Sequence, residues 1–338
     1  MARMTIGVPS DYSLRRDCCS YGYFLLAPNR WDVRSETFSR VLTLDARSVF
    51  VEVRQPGGTG GALAVRVWPD EVGPTRAERG EIRAKLVRML RLDESAARIG
   101  AFHRLDPRWK ASGRGRLFRS PDVFEDVIKT VTSCNVTWPS TVQMNRRICE
   151  VLGPEVRFRV SGGWRTERGF PSAKKVAVTR PQTLRARCRV GYRDARIVAL
   201  GKLFAKGPAR GGVDVAWMTA METSDDAVRE ALIALPGIGP YAAANIMQLM
   251  GRFGVLPLDT ESVRHGVNVL GFKGTSKQVM ERVREHFAPF GEDAFRSYWF
   301  ELWRFYESKQ GPAHTWERDS TGTMFTAAVL KKAGGGAS

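Results

Sequence analysis

The sequence lacks long apolar segments and contains few cysteines and histidines. No uninterrupted apolar run among its 338 residues approaches the ~18 needed to cross a bilayer, and no hydrophobic segment follows the N-terminal charges. We therefore predict neither a membrane helix nor a secretory signal. Five cysteines at irregular spacing indicate reduced thiols in a cytoplasmic protein and not a disulfide framework. Four dispersed histidines form no metal-ligand motif, so we predict no metal and no cofactor.

Acidic residues are also scarce relative to basic ones. The chain has 35 Asp and Glu residues against 53 Lys and Arg residues, which gives a formal net charge of +18 and a pI of about 10.2. An excess of this size favours a polyanionic partner, and nucleic acid is the commonest one for a basic protein. Charge that serves solubility alone is the other interpretation. Arginine is spread throughout the chain, so we predict a broad basic face and not a basic tail.

The first 75 residues have the pattern of a small antiparallel β-sheet domain. Ser48–Arg54 and Ala62–Trp68 are β-branched runs on either side of a glycine-rich turn, which predicts a hairpin. Residues 18–26 and 38–44 are candidates for two further strands. Within the first of these, we predict that Tyr21 and its aromatic neighbours belong to a strand core, in preference to a platform on which bases stack.

From residue 75 onward the apolar spacing becomes helical. It predicts a mostly α-helical region over residues 76–310, interrupted by a basic, glycine-rich loop over residues 154–172. A C-terminal extension over residues 311–338 is expected to end in a disordered tail. The predicted fold class is therefore α+β, with a small β-sheet domain over residues 1–75. The predicted helices cover residues 75–92, 122–132, 141–152, 181–188, 192–204, 225–234, 240–250, 260–270, 276–287 and 291–306.

The stretch Leu235-Pro-Gly-Ile-Gly239 separates two of these helices. Its glycines, Gly237 and Gly239, are predicted to adopt left-handed backbone angles and to let the chain approach a ligand closely. Pro240 begins the next helix, whose first amides point outward beside a positive dipole end that suits a phosphate. Asp259 follows nine residues after Met250, and a further helical pattern begins behind it.

Residues 235–262 resemble the helix-hairpin-helix (HhH-GPD) superfamily of DNA glycosylases, in its 3-methyladenine glycosylase II and 8-oxoguanine glycosylase branches. The hairpin, followed at this separation by Pro-x-Asp, carries the resemblance. It implies that Asp259 is the catalytic aspartate and that Gly237, Gly239 and Tyr241 contact DNA. An ordinary helical corner with Asp259 as an N-cap is the alternative interpretation.

Two short motifs before the hairpin resemble the oxoguanine branch of this family. Ser133-Cys-Asn135 is similar to the loop that enters the space left by an extruded base. Gly191-Tyr-Arg193 is similar to the motif whose aromatic ring wedges into the base stack and whose arginine meets the unpaired base. The resemblance implies that Asn135, Tyr192 and Arg193 contact DNA around the flipped nucleotide. A capping asparagine and a core tyrosine are the alternatives for each motif taken alone.

Tyr241 departs from the pattern of the bifunctional relatives. Those enzymes have a lysine at this position, which attacks the sugar and supports strand cleavage through a Schiff base. No lysine lies between Lys206 and Lys273, so no near neighbour can replace it. A water nucleophile without lyase activity is therefore predicted. Some relatives also hold an iron–sulfur cluster through four cysteines after the hairpin, but no cysteine follows Cys188 here, so we predict no cluster.

The aromatic run near residue 300 resembles the closing helix of alkylpurine glycosylases. We expect one of Tyr298, Trp299 and Trp303 to stack on the substrate and the others to lie in the core. The candidates for the base pocket are Trp138, Tyr298 and Trp299.

Together these features predict a monomeric, monofunctional glycosylase that acts on double-stranded DNA. It would flip a damaged base, with alkylated purine as the first choice, and hydrolyse the N-glycosidic bond to leave an abasic site. Excision of a hypermodified base such as glucosylated hydroxymethylcytosine from phage DNA, in antiviral defence, is the alternative. In a different class, the chain is a non-catalytic DNA-binding protein. A metal-dependent nuclease ranks last, because Asp225, Asp226 and Glu230 fit the start of a helix better than a metal site.

Overall fold

A five-stranded antiparallel sheet forms the N-terminal part of the protein. The computed structural model describes residues 2–318 of the chain. The strands of the sheet are β1 (Ala2–Gly7), β2 (Arg30–Asp32), β3 (Thr37–Thr43), β4 (Ser48–Arg54) and β5 (Ala62–Trp68). They lie in the order β1-β5-β4-β3-β2. The predicted hairpin of β4 and β5 is confirmed, and Val51 pairs with Val67 across it. Because side chains alternate along each strand, the sheet turns one apolar face toward the helices.

The prediction of a strand over residues 18–26 is wrong. This part of the chain forms a short helix, α1 (Leu14–Cys18), and a 3₁₀ turn at Gly22–Leu25. A strand would turn successive side chains to opposite faces, whereas the consecutive side chains of Tyr23, Phe24 and Leu25 are all buried. The compact turn thereby brings a run of aromatic side chains into the interior.

The loop predicted over residues 154–172 is also wrong, because most of it forms a second antiparallel hairpin. Its strands are β6 (Glu155–Val160) and β7 (Gly163–Arg168). Val156 and Phe158 are buried against Phe50 on the outer face of the first sheet. Exposed arginines alternate with these two buried side chains, as in a half-buried strand. The arginines give the segment the composition of a basic loop, which conceals the alternation.

Helices make up most of the remaining described chain, and the predicted α+β fold class is confirmed. They are α2 (Arg76–Met89), α3 (Ala96–Leu105), α4 (Val123–Ser133), α5 (Trp138–Leu152), α6 (Ala173–Ala177), α7 (Pro181–Thr183), α8 (Asp194–Lys206), α9 (Val215–Thr219), α10 (Asp225–Ile233), α11 (Pro240–Met250), α12 (Thr260–Asn268), α13 (Ser276–Phe287) and α14 (Ala294–Gln310).

The helix ends follow local capping chemistry. Thr75 and Thr275 each begin a helix with a reciprocal capping box, so two backbone amides of the first turn are satisfied by side chains. Helices α11 and α13 match their predicted bounds at both ends. Helix α3 was not predicted, and α14 begins at residue 294 and not 291, because Gly291 has a φ of 50° and interrupts the helical geometry.

Two hydrophobic cores lie on either side of α11. The first joins the sheet to α2, α13 and α14, and the second joins α4, α5, α8 and α10. Leu249 belongs to the first core, whereas Ile246 and Met247 belong to the second. The hairpin precedes this shared helix, and the segment that carries Asp259 follows it. The boundary predicted near residue 75 falls between β5 and α2, and the first core extends across it.

No helix within residues 2–318 is both long and apolar enough to cross a membrane. Each of the five cysteines is a free thiol. Within the same described range, no group of three or more His, Cys, Asp or Glu side chains is arranged to hold a metal ion. The disordered tail predicted for the end of the chain lies outside the described residues.

Candidate active site

The hairpin between α10 and α11 exposes the start of α11. Gly237 has a φ of +80°, in the left-handed region that favours glycine. Gly239 has a φ of −100°, so the prediction that both glycines are left-handed is wrong for this residue. It caps α11 without a side chain, and a Cβ built on it would meet no atom within 4 Å. The first amides of α11 have no acceptors inside the helix, so an external anion can bond to them.

Asp259 begins α12 and accepts two backbone hydrogen bonds there. Its Oδ1 accepts from the amides of Glu261 at 2.9 Å and Ser262 at 3.2 Å, and the Ser262 hydroxyl bonds in return to the Asp259 amide at 3.2 Å. The alternative interpretation of Asp259 as an N-cap is therefore correct as local geometry. It does not exclude a chemical role, because both amides bond to the same oxygen and leave Oδ2 for other contacts.

Burial and hydrogen bonding act in opposite directions on Asp259. Burial raises the pKa of its carboxyl, while the two amides and the side chain of Tyr241 lower it. Burial also raises the pKa of Tyr241 well above its usual value, and the nearby charge of Asp259 adds to this effect. Tyr241 consequently remains a neutral phenol that can donate a hydrogen bond to the carboxylate. Tyr241, at the position where the sequence resemblance implies a lysine in bifunctional enzymes, thus lies beside Asp259.

Tyr21 and Trp299 form an aromatic wall beside this pair. Their ring centroids are 4.6 Å apart, and the Trp299 indole donates to the Ser20 carbonyl at 2.8 Å. The Tyr21 hydroxyl donates to Oδ1 of Asn245, one helical turn beyond Tyr241, at 3.3 Å. Burial raises the pKa of Tyr21, and the charge of Asp259 contributes to the shift. The aromatic wall and the carboxylate therefore belong to one site.

The other two candidates for the base pocket lie at different depths. Tyr298 is buried, and its hydroxyl is 3.0 Å from that of Ser262, so it supports the cap of α12 from behind. Trp138 is half-buried and packs so closely over Gly22 that a Cβ there would lie 2.9 Å from its ring. Of the three candidates, Trp299 packs against Tyr21, with the two ring planes tilted by 46°.

The two predicted DNA-contact motifs lie next to each other, but only some of their predicted contact residues are exposed. Asn135 follows α4 in a left-handed conformation, with φ of +52°, and is exposed. Tyr192 is also exposed, at 54% of its surface. Arg193 is not: it is 5% exposed, and its guanidinium donates to the carbonyls of Val131 at 3.1 Å and of Cys134. In this structure the guanidinium of Arg193 joins the two loops, and its role as a DNA contact stays a prediction.

Cys134, the residue before Asn135, has a half-buried thiol that donates to the Thr130 carbonyl at 3.2 Å. Burial raises the pKa of the Cys134 thiol to about 11, with Arg193 lowering it and Asp259 raising it. The thiol therefore stays protonated near neutral pH and is not a reactive nucleophile. The loop at residues 134–135 is held in place by Arg193, whose guanidinium donates to the Cys134 carbonyl.

No family model matches the sequence, and no curated protein matches it either. Solved structures do match it. The 3-methyladenine DNA-glycosylase from Archaeoglobus fulgidus has a TM-score of 0.62 and 22% identity over 91% of this chain and 99% of its own. MBOgg1 in complex with a low-affinity DNA ligand has a TM-score of 0.65 and 17% identity, over 90% of this chain and 96% of its own. The apo 8-oxoguanine glycosylase/lyase from Clostridium acetobutylicum has a TM-score of 0.64 and 17% identity, over 89% and 96%. This chain has the fold of the helix-hairpin-helix DNA glycosylases.

Two members of the site in this glycosylase fold were missed by the sequence reasoning. Tyr21 had been considered for base stacking but was assigned to a strand core. Asn245 is, like Gln248, a buried amide in the largely apolar α11, and that contrast was the available signal. The two residues are 224 positions apart, so their contact is not visible in any local pattern.

Proposed function

We propose that the protein is a monofunctional DNA glycosylase, a hydrolase that cleaves N-glycosidic bonds in double-stranded DNA. The observation that carries the proposal is the half-buried carboxylate of Asp259, held at the start of α12 by two backbone amides beside the neutral phenol of Tyr241, in a glycosylase fold. The net charge of +18 supports a nucleic-acid partner. We further infer a monomer that acts in the cytoplasm.

In the proposed reaction, Asp259 stabilises the positive charge that develops on the sugar as the base leaves with the bonding electron pair. A fixed carboxylate near such an oxocarbenium-like centre lowers the barrier by electrostatic stabilisation. Water then adds to the sugar carbon, and Asp259 orients it or accepts its proton. The amides of Glu261 and Ser262, together with Tyr241, favour the charged form of Asp259 that both steps require.

The side chain of Tyr241 argues against lyase chemistry. A phenol has no amine, so it cannot form the Schiff base through which bifunctional enzymes break the strand. Lys129 is a buried lysine of α4, but its ammonium is paired with Glu125 at 2.7 Å and faces the rings of Tyr23 and Phe170. The absence of lysine from residues 207–272 supports the same conclusion.

For the substrate, alkylated purine is our first choice. An alkylated purine is cationic, and a cation stacks favourably on electron-rich rings such as those of Tyr21 and Trp299. A second candidate is a hypermodified pyrimidine such as glucosylated hydroxymethylcytosine in phage DNA. The hydrogen-bonded pair of Tyr21 and Asn245 favours this candidate, because it offers polar groups to a hydroxyl-bearing substituent.

Mass spectrometry of released bases tests the function and the substrate together. The purified protein is incubated with methylated duplex DNA, with glucosylated phage DNA and with unmodified host DNA, and Asp259→Asn serves as the control. We expect a methylated purine from the first sample. Release of modified cytosine from the phage sample alone would replace the first substrate by the second. No release from any sample, with duplex binding intact, would favour the non-catalytic class.

Borohydride trapping tests the monofunctional mechanism separately. A glycosylase that uses water forms no imine, so we expect no covalent protein–DNA adduct and strand breaks only after hot alkali. Efficient trapping by the unaltered protein would show that an amine attacks the sugar, and would overturn this part of the proposal.

A further inference from the structure

The side chain of Arg196 connects the hairpin to the exposed ring of Tyr192. Arg196 lies in the first turn of α8 and is exposed. Its aliphatic stem crosses Gly237, where a Cβ would lie 2.6 Å from the Arg196 Cδ and 3.4 Å from its Cγ. Its guanidinium carbon is 5.2 Å from the centroid of the Tyr192 ring. One side chain thus touches both predicted DNA-contact elements.

The charge of Arg196 is available to a ligand. No carboxylate within residues 2–318 lies within 4.0 Å of its guanidinium, whereas Arg185, at the same end of α8, is held by Asp194 at 2.8 Å. The neighbouring Arg193 donates its hydrogen bonds to backbone carbonyls inside the protein. Arg196 is therefore the arginine of this turn that keeps an open charge beside the start of α11.

Two properties of arginine suit this position. Its guanidinium is planar and stacks on an aromatic face, and its fork of N–H groups matches the oxygens of a phosphate. The first amides of α11 lie next to the same glycine and are open to an anion. A phosphate bound by these amides would lie within reach of Arg196, which covers the Tyr192 ring together with Arg193, whose guanidinium carbon is 4.4 Å from the ring centroid.

We propose that Arg196 binds a DNA phosphate together with the hairpin amides and holds Tyr192 in position to enter the base stack. Arg196 acts on the chemistry only through Tyr192 and is a positioning residue. The proposal rests on the proposed function, because it needs a DNA duplex with a flipped nucleotide. Glycine at 237, which the φ of +80° already favours, also leaves the space that the arginine stem occupies.

The test compares Arg196→Gln, Arg196→Lys and the surface control Arg284→Gln, whose arginine pairs with Glu281 on α13. The probe is a duplex that contains a tetrahydrofuran abasic analogue opposite 2-aminopurine, whose fluorescence rises when the base unstacks. Binding is measured across a salt series for each protein. Circular dichroism melting verifies that each variant is folded.

We expect Arg196→Gln to reduce the salt slope by about 1, the loss of one phosphate contact, and to reduce the fluorescence at saturating protein. Arg196→Lys keeps the charge but not the planar stack, so it should keep the salt slope and still lose fluorescence. Arg284→Gln should match the unaltered protein in both. A wild-type slope in Arg196→Gln, or full fluorescence in Arg196→Lys, would refute the proposal while leaving the glycosylase function intact. Failure of the unaltered protein to bind the duplex would refute both.

Discussion

Replacing Asp259 with asparagine separates the charge of the carboxylate from its function as a helix cap. Asparagine is as good an N-cap as aspartate, and its oxygen can accept the same two bonds from Glu261 and Ser262. The amide carries no negative charge. Loss of activity without loss of folding would therefore assign the charge, and not the cap, to the reaction.

The size of the expected loss follows from what the carboxylate does. Removing one preorganised electrostatic group from an active site costs about 10²–10³-fold in rate, or about 3–4 kcal/mol of transition-state stabilisation. We expect at least this reduction in single-turnover base excision by Asp259→Asn. DNA binding should be retained or improved, because a negative charge is removed from a site that faces phosphates.

The stability of the same variant should move in the opposite direction. Burial raises the pKa of Asp259 in the folded protein above its unfolded value, so the ionised carboxylate destabilises the folded state at neutral pH. Asp259→Asn should therefore be at least as stable as the wild type near pH 7. This advantage should disappear as the pH falls below the unfolded pKa of about 4. Asp259→Ala lacks both cap bonds and should lose about 0.5–2 kcal/mol.

Urea unfolding at neutral pH and below about pH 4 tests the stability of the Asn and Ala variants, and single-turnover kinetics tests the rate of base excision. Wild-type excision by Asp259→Asn would refute the assignment of Asp259 as the catalytic charge. Equal losses of stability in the Asn and Ala variants would show that the cap geometry is not preserved. In that case the kinetic loss would report misfolding and not chemistry.

Three further variants test other parts of the site. Tyr241→Phe removes a hydrogen bond that lowers the pKa of Asp259. The excision rate rises with pH as the carboxylate ionises, and in this variant that rise should move to higher pH. An unchanged pH profile would contradict the contact between Tyr241 and Asp259. Gly237→Ala should lower the free energy of unfolding by about 1 kcal/mol or more, because it combines a φ of +80° with a close contact. Gly239→Ala has open space and an ordinary φ, so it should unfold at the same urea concentration as the wild type. Arg193→Met leaves buried carbonyls without donors, so it should lower the free energy of unfolding in urea by about 1–3 kcal/mol. Wild-type stability would show that those carbonyls find other partners.

The sequence predicts those elements whose signals are local. Helices α11 and α13 have a proline or a capping box at their start and a regular apolar period, and both bounds of each were predicted. The β4–β5 hairpin has β-branched strands around a glycine-rich turn. The β6–β7 hairpin has the same period, but its exposed half is arginine, which is also the composition of a basic loop. Only the packing of Phe158 on Phe50 distinguishes the two.

The candidate site was predictable where a motif determines it and not where packing does. Asp259 and Tyr241 were located by their spacing from the hairpin. Motif similarity carries no information on burial, so it could not predict that the guanidinium of Arg193 donates to the carbonyls of Val131 and Cys134. Tyr21 became part of the site through a contact with Trp299, which depends on how the first and last parts of the chain pack.

The aromatic wall has a consequence for the order in which the protein is made. Ser20, which precedes Tyr21, and Trp299 are joined by a hydrogen bond across 279 residues. At about 5–20 residues per second, a ribosome needs roughly 15–55 s to travel that distance. A nascent or truncated chain that already contains Asp259 but ends before α14 lacks one half of the wall. Such a fragment would contain Asp259 without Trp299 beside Tyr21, and the candidate site is completed only when α14 has been synthesised.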